Sequence, residues 1–162
     1  MVALKGRYKG QPMSQSLAKI LVHIVFSTKL RAPVLNADVA HGLYAYLAGI
    51  LKQCNCPAIR IGGTTDHIHI LCNLSRTLAI AKVAEEIKTG SSKWLKTKGP
   101  EFRTFHWQNG YGAFSVSQSA VDAVAGYIDN QNEHHRRQSF QDEYRALLER
   151  YQVEYDERYV WD

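Results

Sequence analysis

The sequence predicts an α+β fold of the ferredoxin-like, RRM-like split βαβ kind: a four-stranded antiparallel sheet with helices on one face and extra helices at the C-terminus. Three observations carry this. Alternating apolar stretches at 18–26 and 66–71 have the period of strands. Long segments with apolar residues three and four apart follow the first and third strands, as amphipathic helices would. Gly62-Gly63-Thr64-Thr65 separates the second and third strands by no more than a hairpin turn.

Taken in order, Ala18, Ile20, Val22, Ile24 and Phe26 form one face of the first strand, with Lys19, Leu21, His23 and Val25 on the other. A loop containing Lys29, Arg31 and Pro33 leads to Asn36 or Asp38, either able to cap a helix running to about Gln53. Its buried stripe is expected to be Val39, Leu43, Tyr46, Leu47 and Ile50. A short strand, Ala58 to Ile61, precedes the turn and the third strand. Thr77 is the expected cap of the second long helix, with Ile80, Val83, Ala84 and Ile87 inward and Lys82, Lys88, Lys93, Lys96 and Lys98 outward. Phe114 to Ser117 is the fourth strand. Ser117 or Ser119 then caps a helix from about Ala120 to His134, and Phe140, Tyr144, Leu147 and Leu148 mark a last helix from Phe140 to Tyr151.

With 162 residues and 45% hydrophobic content, the chain can bury a core without disulfides or a structural metal. Cys54, Cys56 and Cys72 form no Cys-x-x-Cys pair, and are read as reduced, structural thiols. No apolar run approaches the roughly 20 residues that span a bilayer, and no signal-peptide pattern opens the chain, so no membrane role and a cytoplasmic location are expected. The net charge of +5 favours an anionic partner. Residues 1–16, polar and without periodicity, are expected to be a flexible leader, with Met13 an alternative start to Met1.

Asp66-His67-Ile68-His69-Ile70-Leu71 is the most informative segment. Strand alternation points His67 and His69 to one face, where two imidazoles can hold a single metal ion. Asp66 should face away. In the split βαβ order the first and third strands are neighbours, which brings His23 near the pair, as an auxiliary phosphate or ligand-supporting group or a structural histidine. Further along, Gly126-Tyr127-Ile128-Asp129-Asn130-Gln131 sets Tyr127 and Gln131 one helical turn apart on one face. Beyond it His134 and His135 extend a basic face with Arg136 and Arg137.

His-hydrophobic-His on the third strand followed by a Tyr-x-x-x-Gln helix resembles the single-tyrosine HUH transposases of small bacterial insertion sequences, the IS200-like type. The likeness runs from about Leu17 to Trp161 and takes in Ser27 to Arg31, Thr65 to Leu71, the segment from Ile87 to Lys93, Phe105 to Phe114, and Tyr127 to Gln131 with His134-His135. It implies a single catalytic domain over residues 17–162. It implies cleavage and rejoining of single-stranded DNA by transesterification, with Tyr127 as the nucleophile that forms a 5′-phosphotyrosine link. His67, His69 and Gln131 are the implied metal ligands. Two imidazoles suit Mn²⁺ or Zn²⁺, but the resemblance points to Mg²⁺ or Mn²⁺, with no nucleotide cofactor. Expected partners are single-stranded DNA with hairpin ends and a second copy of the chain, Tyr127 serving either its own histidines or the partner's. Candidate DNA contacts are Lys29, Arg31, Lys88, Lys93 and Lys96 for phosphates, and Trp107 and Tyr111 for stacking. The other readings are a domesticated HUH nuclease that cuts chromosomal hairpins, a relaxase or rolling-circle initiator, which usually has a third metal histidine, and a non-catalytic RRM-like nucleic-acid module, which would carry aromatics on its central strands.

Overall fold

The computed structural model describes residues 15–162; most of the expected leader, and Met13, lie outside that range. Four strands, β1 (Leu21–Ser27), β2 (Ala58–Gly63), β3 (His67–Asn73) and β4 (Gly112–Val116), form one antiparallel sheet in the order β2-β3-β1-β4. This is the split βαβ order, with β1 and β3 paired at the centre. β1 starts three residues later than alternation suggests, because Ala18 and Ile20 are exposed. β2 extends through both glycines, so the turn is Thr64 to Asp66.

α1 (Ala37–Gln53) and α2 (Ile80–Leu95) cover one face of the sheet. Asn36 is the N-cap of α1, its side chain accepting from the Val39 N–H. The buried stripe of α1 is Val39, Leu43, Leu47 and Leu51. Tyr46, expected inside, is instead exposed and stacks on Trp94. Thr77 caps nothing: its hydroxyl pairs with that of Ser75, and α2 begins after Ala79 without a side-chain cap. Val22, Ile24, Phe26, Ile68, Ile70 and Cys72 meet these helices in the main core. All three cysteines are free, and burial pushes the Cys72 thiol up to about 12, with Cys56 adding to the effect.

The second face of the sheet is covered as well, which corrects the expectation of helices on one side. α3 (Val121–Asp129) packs through Ala125 and Ile128 on Leu21, Leu71 and Val116. After a break at Asn130 and the short α4 (Gln131–His134), α5 (Phe140–Arg150) lays Phe140, Tyr144 and Leu148 against Val25 and Phe114. β1 is thus buried on both faces, and no helix of the described residues is long and apolar enough to cross a membrane. Close approach has a local requirement at Gly62, where a Cβ would come within 2.9 Å of the Ile128 carbonyl oxygen. That contact seats the helix carrying Tyr127.

Candidate active site

β3 presents His67 and His69 on the face covered by α3 to α5, and both are fully buried. Pairing with β1 brings His23 alongside, its Nε2 2.8 Å from His69 Nδ1. Burial, reinforced by His69, lowers the His23 pKa to about 3, so its ring is neutral and exchanges one hydrogen bond with His69. That bond fixes the orientation of the His69 ring.

Tyr127, on α3, lies with its ring edge-on to His69 and His23 at centroid distances of 5.8 and 6.3 Å. Its hydroxyl donates to Glu143 Oε2. Burial and the Glu143 carboxylate both push the phenol pKa above its usual value, keeping the oxygen protonated. Gln131 is not on the same helix as Tyr127, because Asn130 leaves helical geometry between them. The amide is nonetheless buried at the site, its Oε1 2.9 Å from His67 Nε2 and its Nε2 donating to Glu143 Oε2 at 3.1 Å. His67, His69, Tyr127 and Gln131 therefore meet within a single chain.

Three further groups complete the cluster. Asp66, expected to face away, turns back: its Oδ1 lies 2.6 Å from His67 Nδ1, and Thr64 Oγ1 lies 2.8 Å from the same nitrogen. As the last turn residue before β3, it is not bound by strand alternation. Burial alone would raise the Asp66 carboxyl, but the contact with His67 holds it below the usual carboxylate range. His135, expected on a basic face, is largely buried with its ring 4.4 Å from that of His67. Its Nε2 has no hydrogen-bond partner, although Glu143 Oε2 lies 3.3 Å away off the bonding direction. His134 stays exposed and tilts over Tyr127 at 4.9 Å.

Glu143 is the residue of this cluster missed from the sequence. Its Oε1 lies 2.9 Å from His69 Nε2 and 3.7 Å from His67 Nε2, and it is 2% exposed. Burial would raise its carboxyl, but the surrounding imidazoles, His135 and His69 foremost, and the Tyr127 hydroxyl hold it far below the usual range. The available signal was its position: Phe140, Glu143, Tyr144 and Leu147 share one helical stripe, an acid on an apolar face.

The donor set fits a cation. With its Nδ1 proton directed at Asp66, a neutral His67 turns an Nε2 lone pair toward Gln131 Oε1, setting two acceptors 2.9 Å apart. A cation, or a second proton, satisfies both. Ligand atoms of His67, His135 and Glu143 also lie within 4.8 Å of one another.

The candidate DNA contacts are scattered. Lys88, Lys93, Trp107 and Tyr111 line a groove of about 510 Å³ beside α2, together with Lys96. Within it Lys88 is not a free surface cation: its ammonium donates to the carbonyls of Gln108, Asn109 and Gly110. Trp107 is a core side chain, edge-on to Phe26 and donating from Nε1 to Ser91 Oγ at 2.9 Å. Lys29 pairs with Asp162. Arg31 lines a separate polar cleft with Thr64, Asp66 and Arg136, on a left-handed backbone it shares with Leu30.

A four-stranded ferredoxin-like sheet bearing a buried histidine pair, a tyrosine and an amide is the arrangement that the resemblance to IS200-like transposases implies, and sequence comparison gives the same family. The family described as "Transposase IS200 like" matches residues 16–131, and the chain belongs to that family. It is a single-stranded-DNA transposase, an enzyme that cleaves and transfers DNA. It is 25% identical over 116 residues to the ISDra2 transposase TnpA of Deinococcus radiodurans, covering 68% of this chain and 83% of that protein. A crystal structure at 1.90 Å of a D. radiodurans R1 protein described as a transposase superposes with a TM-score of 0.58 at 25% identity, covering 77% of this chain and 98% of that one. A REP-associated tyrosine transposase bound to a REP hairpin gives a TM-score of 0.56, covering 78% and 74%, and at 12% identity that likeness is one of fold.

Proposed function

We propose that this transposase cleaves and rejoins single-stranded DNA through Tyr127, at a divalent-metal site formed by His67, His69 and Gln131. The observation that carries the reading is the convergence of the Tyr127 hydroxyl, Gln131 and both imidazoles on one buried point within one chain. Tyr127 Oη attacks the scissile phosphorus and the bond from phosphorus to the 3′-oxygen breaks, giving a 5′-phosphotyrosine and a free 3′-hydroxyl. The phenolic proton has Glu143 Oε2 as its nearest acceptor, and the departing 3′-oxygen takes a proton from solvent. A bound Mg²⁺ or Mn²⁺ supplies electrophilic activation of the non-bridging phosphate oxygens. His23 and Asp66 hold the two imidazoles in orientation from behind. Retaining the phosphodiester energy in the phosphotyrosine removes any need for a nucleotide cofactor.

The substrate is single-stranded DNA with hairpin ends, a reading supported by the hairpin bound to the REP-associated relative. The groove with Lys93, Lys96 and Tyr111 is a candidate surface for its phosphates and bases. A homodimer, in the cytoplasm of a bacterial or archaeal cell, is the proposed assembly. The test uses an oligonucleotide that carries an element end, with Mg²⁺ or Mn²⁺. Wild type should cut the single strand and spare the duplex, and EDTA, His67→Ala or His69→Ala should stop cleavage while leaving hairpin binding largely intact. Cleavage of duplex alone, or unchanged cleavage by both histidine variants, contradicts the reading.

A further inference from the structure

We infer that Glu143 is an additional, anionic metal ligand, through which the last helix ties the nucleophile to the ion. The inference rests on the metal site proposed above, and adds a residue from α5, which lies wholly beyond the residues 16–131 matched by the family.

Charge is the first argument. Two imidazoles and an amide are neutral donors, so a divalent ion held by them alone would bring an uncompensated double charge into a buried site. Among the described residues Glu143 is the one buried acid, and it sits at the centre of that site. Geometry is the second. Oε1 faces both histidines, 2.9 Å from His69 Nε2 and 3.7 Å from His67 Nε2. Without metal, the hydrogen on His69 Nε2 bridges this nitrogen to the carboxylate. To bind an ion, His69 would have to give that position a lone pair, moving its proton to Nδ1 and donating it to His23 Nε2, while His23 shifts its own single proton to Nδ1. His69 Nε2 and Glu143 Oε1 would then offer one cation two ligand atoms 2.9 Å apart.

The two carboxylate oxygens divide their work. Oε2, on the other side, accepts from the Tyr127 hydroxyl and from Gln131 Nε2. One rigidly held carboxylate therefore touches the ion through one oxygen and positions the nucleophile through the other. Ligand preference agrees: a carboxylate shifts a site with two imidazoles from zinc toward the harder Mg²⁺ and Mn²⁺.

The test is Mn²⁺ binding, read from the electron paramagnetic resonance signal of free Mn²⁺ without DNA, for wild type, Glu143→Gln, His67→Ala and His69→Ala. Glu143→Gln keeps the shape and removes the charge, and should weaken Mn²⁺ binding about tenfold or more. Affinity equal to wild type, with the histidine variants weakened, overturns the role of Glu143 alone. No change in any of the three, or no binding by wild type, overturns the metal site with it. A second measurement avoids substitution altogether: the infrared difference spectrum on adding Mn²⁺ to wild-type protein labelled with ¹³C-glutamate. A shifted glutamate carboxylate stretch is expected, and an unshifted spectrum overturns the inference even if Glu143→Gln fails to fold.

Discussion

Lys88 carries its positive charge into a half-buried setting, where three backbone carbonyls surround the ammonium and burial lowers its pKa from 10.5 to about 8. The sign of the linkage follows. Between about 8 and 10.5 the unfolded chain binds more protons than the folded one, so this residue makes stability rise with pH across that window. Lys88→Met should flatten the rise, seen as a smaller difference between urea midpoints at pH 8 and 10; an equal pH dependence in both proteins contradicts the assignment. At the histidine pair, Asp66→Asn should weaken metal binding about 10- to 100-fold without unfolding the protein, since it loosens the orientation of His67 rather than removing a ligand. Calorimetric titration with Mn²⁺ checks this. Asp66 and Glu143 also mark where residue-level reading ends. The period-2 rule placed His67 and His69 correctly because both lie inside β3, and misplaced Asp66 because it lies one residue outside. Glu143 was hidden for another reason: its partners are 74 and 16 residues away in sequence, and only the fold brings them together.

At the scale of elements, α3 depends on a glycine. Because the obstacle to a Cβ at Gly62 is the carbonyl oxygen of Ile128, which no rotamer change relieves, Gly62→Ala should push α3 off β2 and cost about 1–3 kcal/mol. Thermal melting measures the loss, and cleavage should fall with it, because Tyr127 moves with the helix. The four strands and the helices α1, α2 and α5 were legible from the sequence pattern. What periodicity did not resolve was the interruption at Asn130, where Tyr127 and Gln131 looked like neighbours on one continuous helix. Helical spacing pointed to two residues that do reach the same cluster, although the helix breaks between them. The stripe of α1 likewise read one residue off at its end: Leu51 is buried, whereas Tyr46 stays exposed and stacks on Trp94 of α2 outside the core.

For the molecule as a whole, the C-terminal helices turn a two-layer arrangement into a three-layer one and close the histidine face. Alternation along β1 hinted at this, since Leu21 and Val25 on the histidine face needed cover. What would supply it could not be read from strand patterns. Tyr127 and the histidines of the same chain are within contact of one another through Glu143, so one subunit holds all the proposed groups. Mixing Tyr127→Phe with His67→Ala protein should therefore restore no cleavage; restored cleavage would mean that the tyrosine serves a partner's histidines. The most direct test of the central claim is mass-spectrometric mapping of the covalent adduct that wild-type protein forms with a single-stranded element end and Mg²⁺ or Mn²⁺. The nucleotide mass is predicted on the peptide containing Tyr127, and no adduct with Tyr127→Phe. A nucleotide on another residue, or an adduct that persists in Tyr127→Phe, would contradict the account.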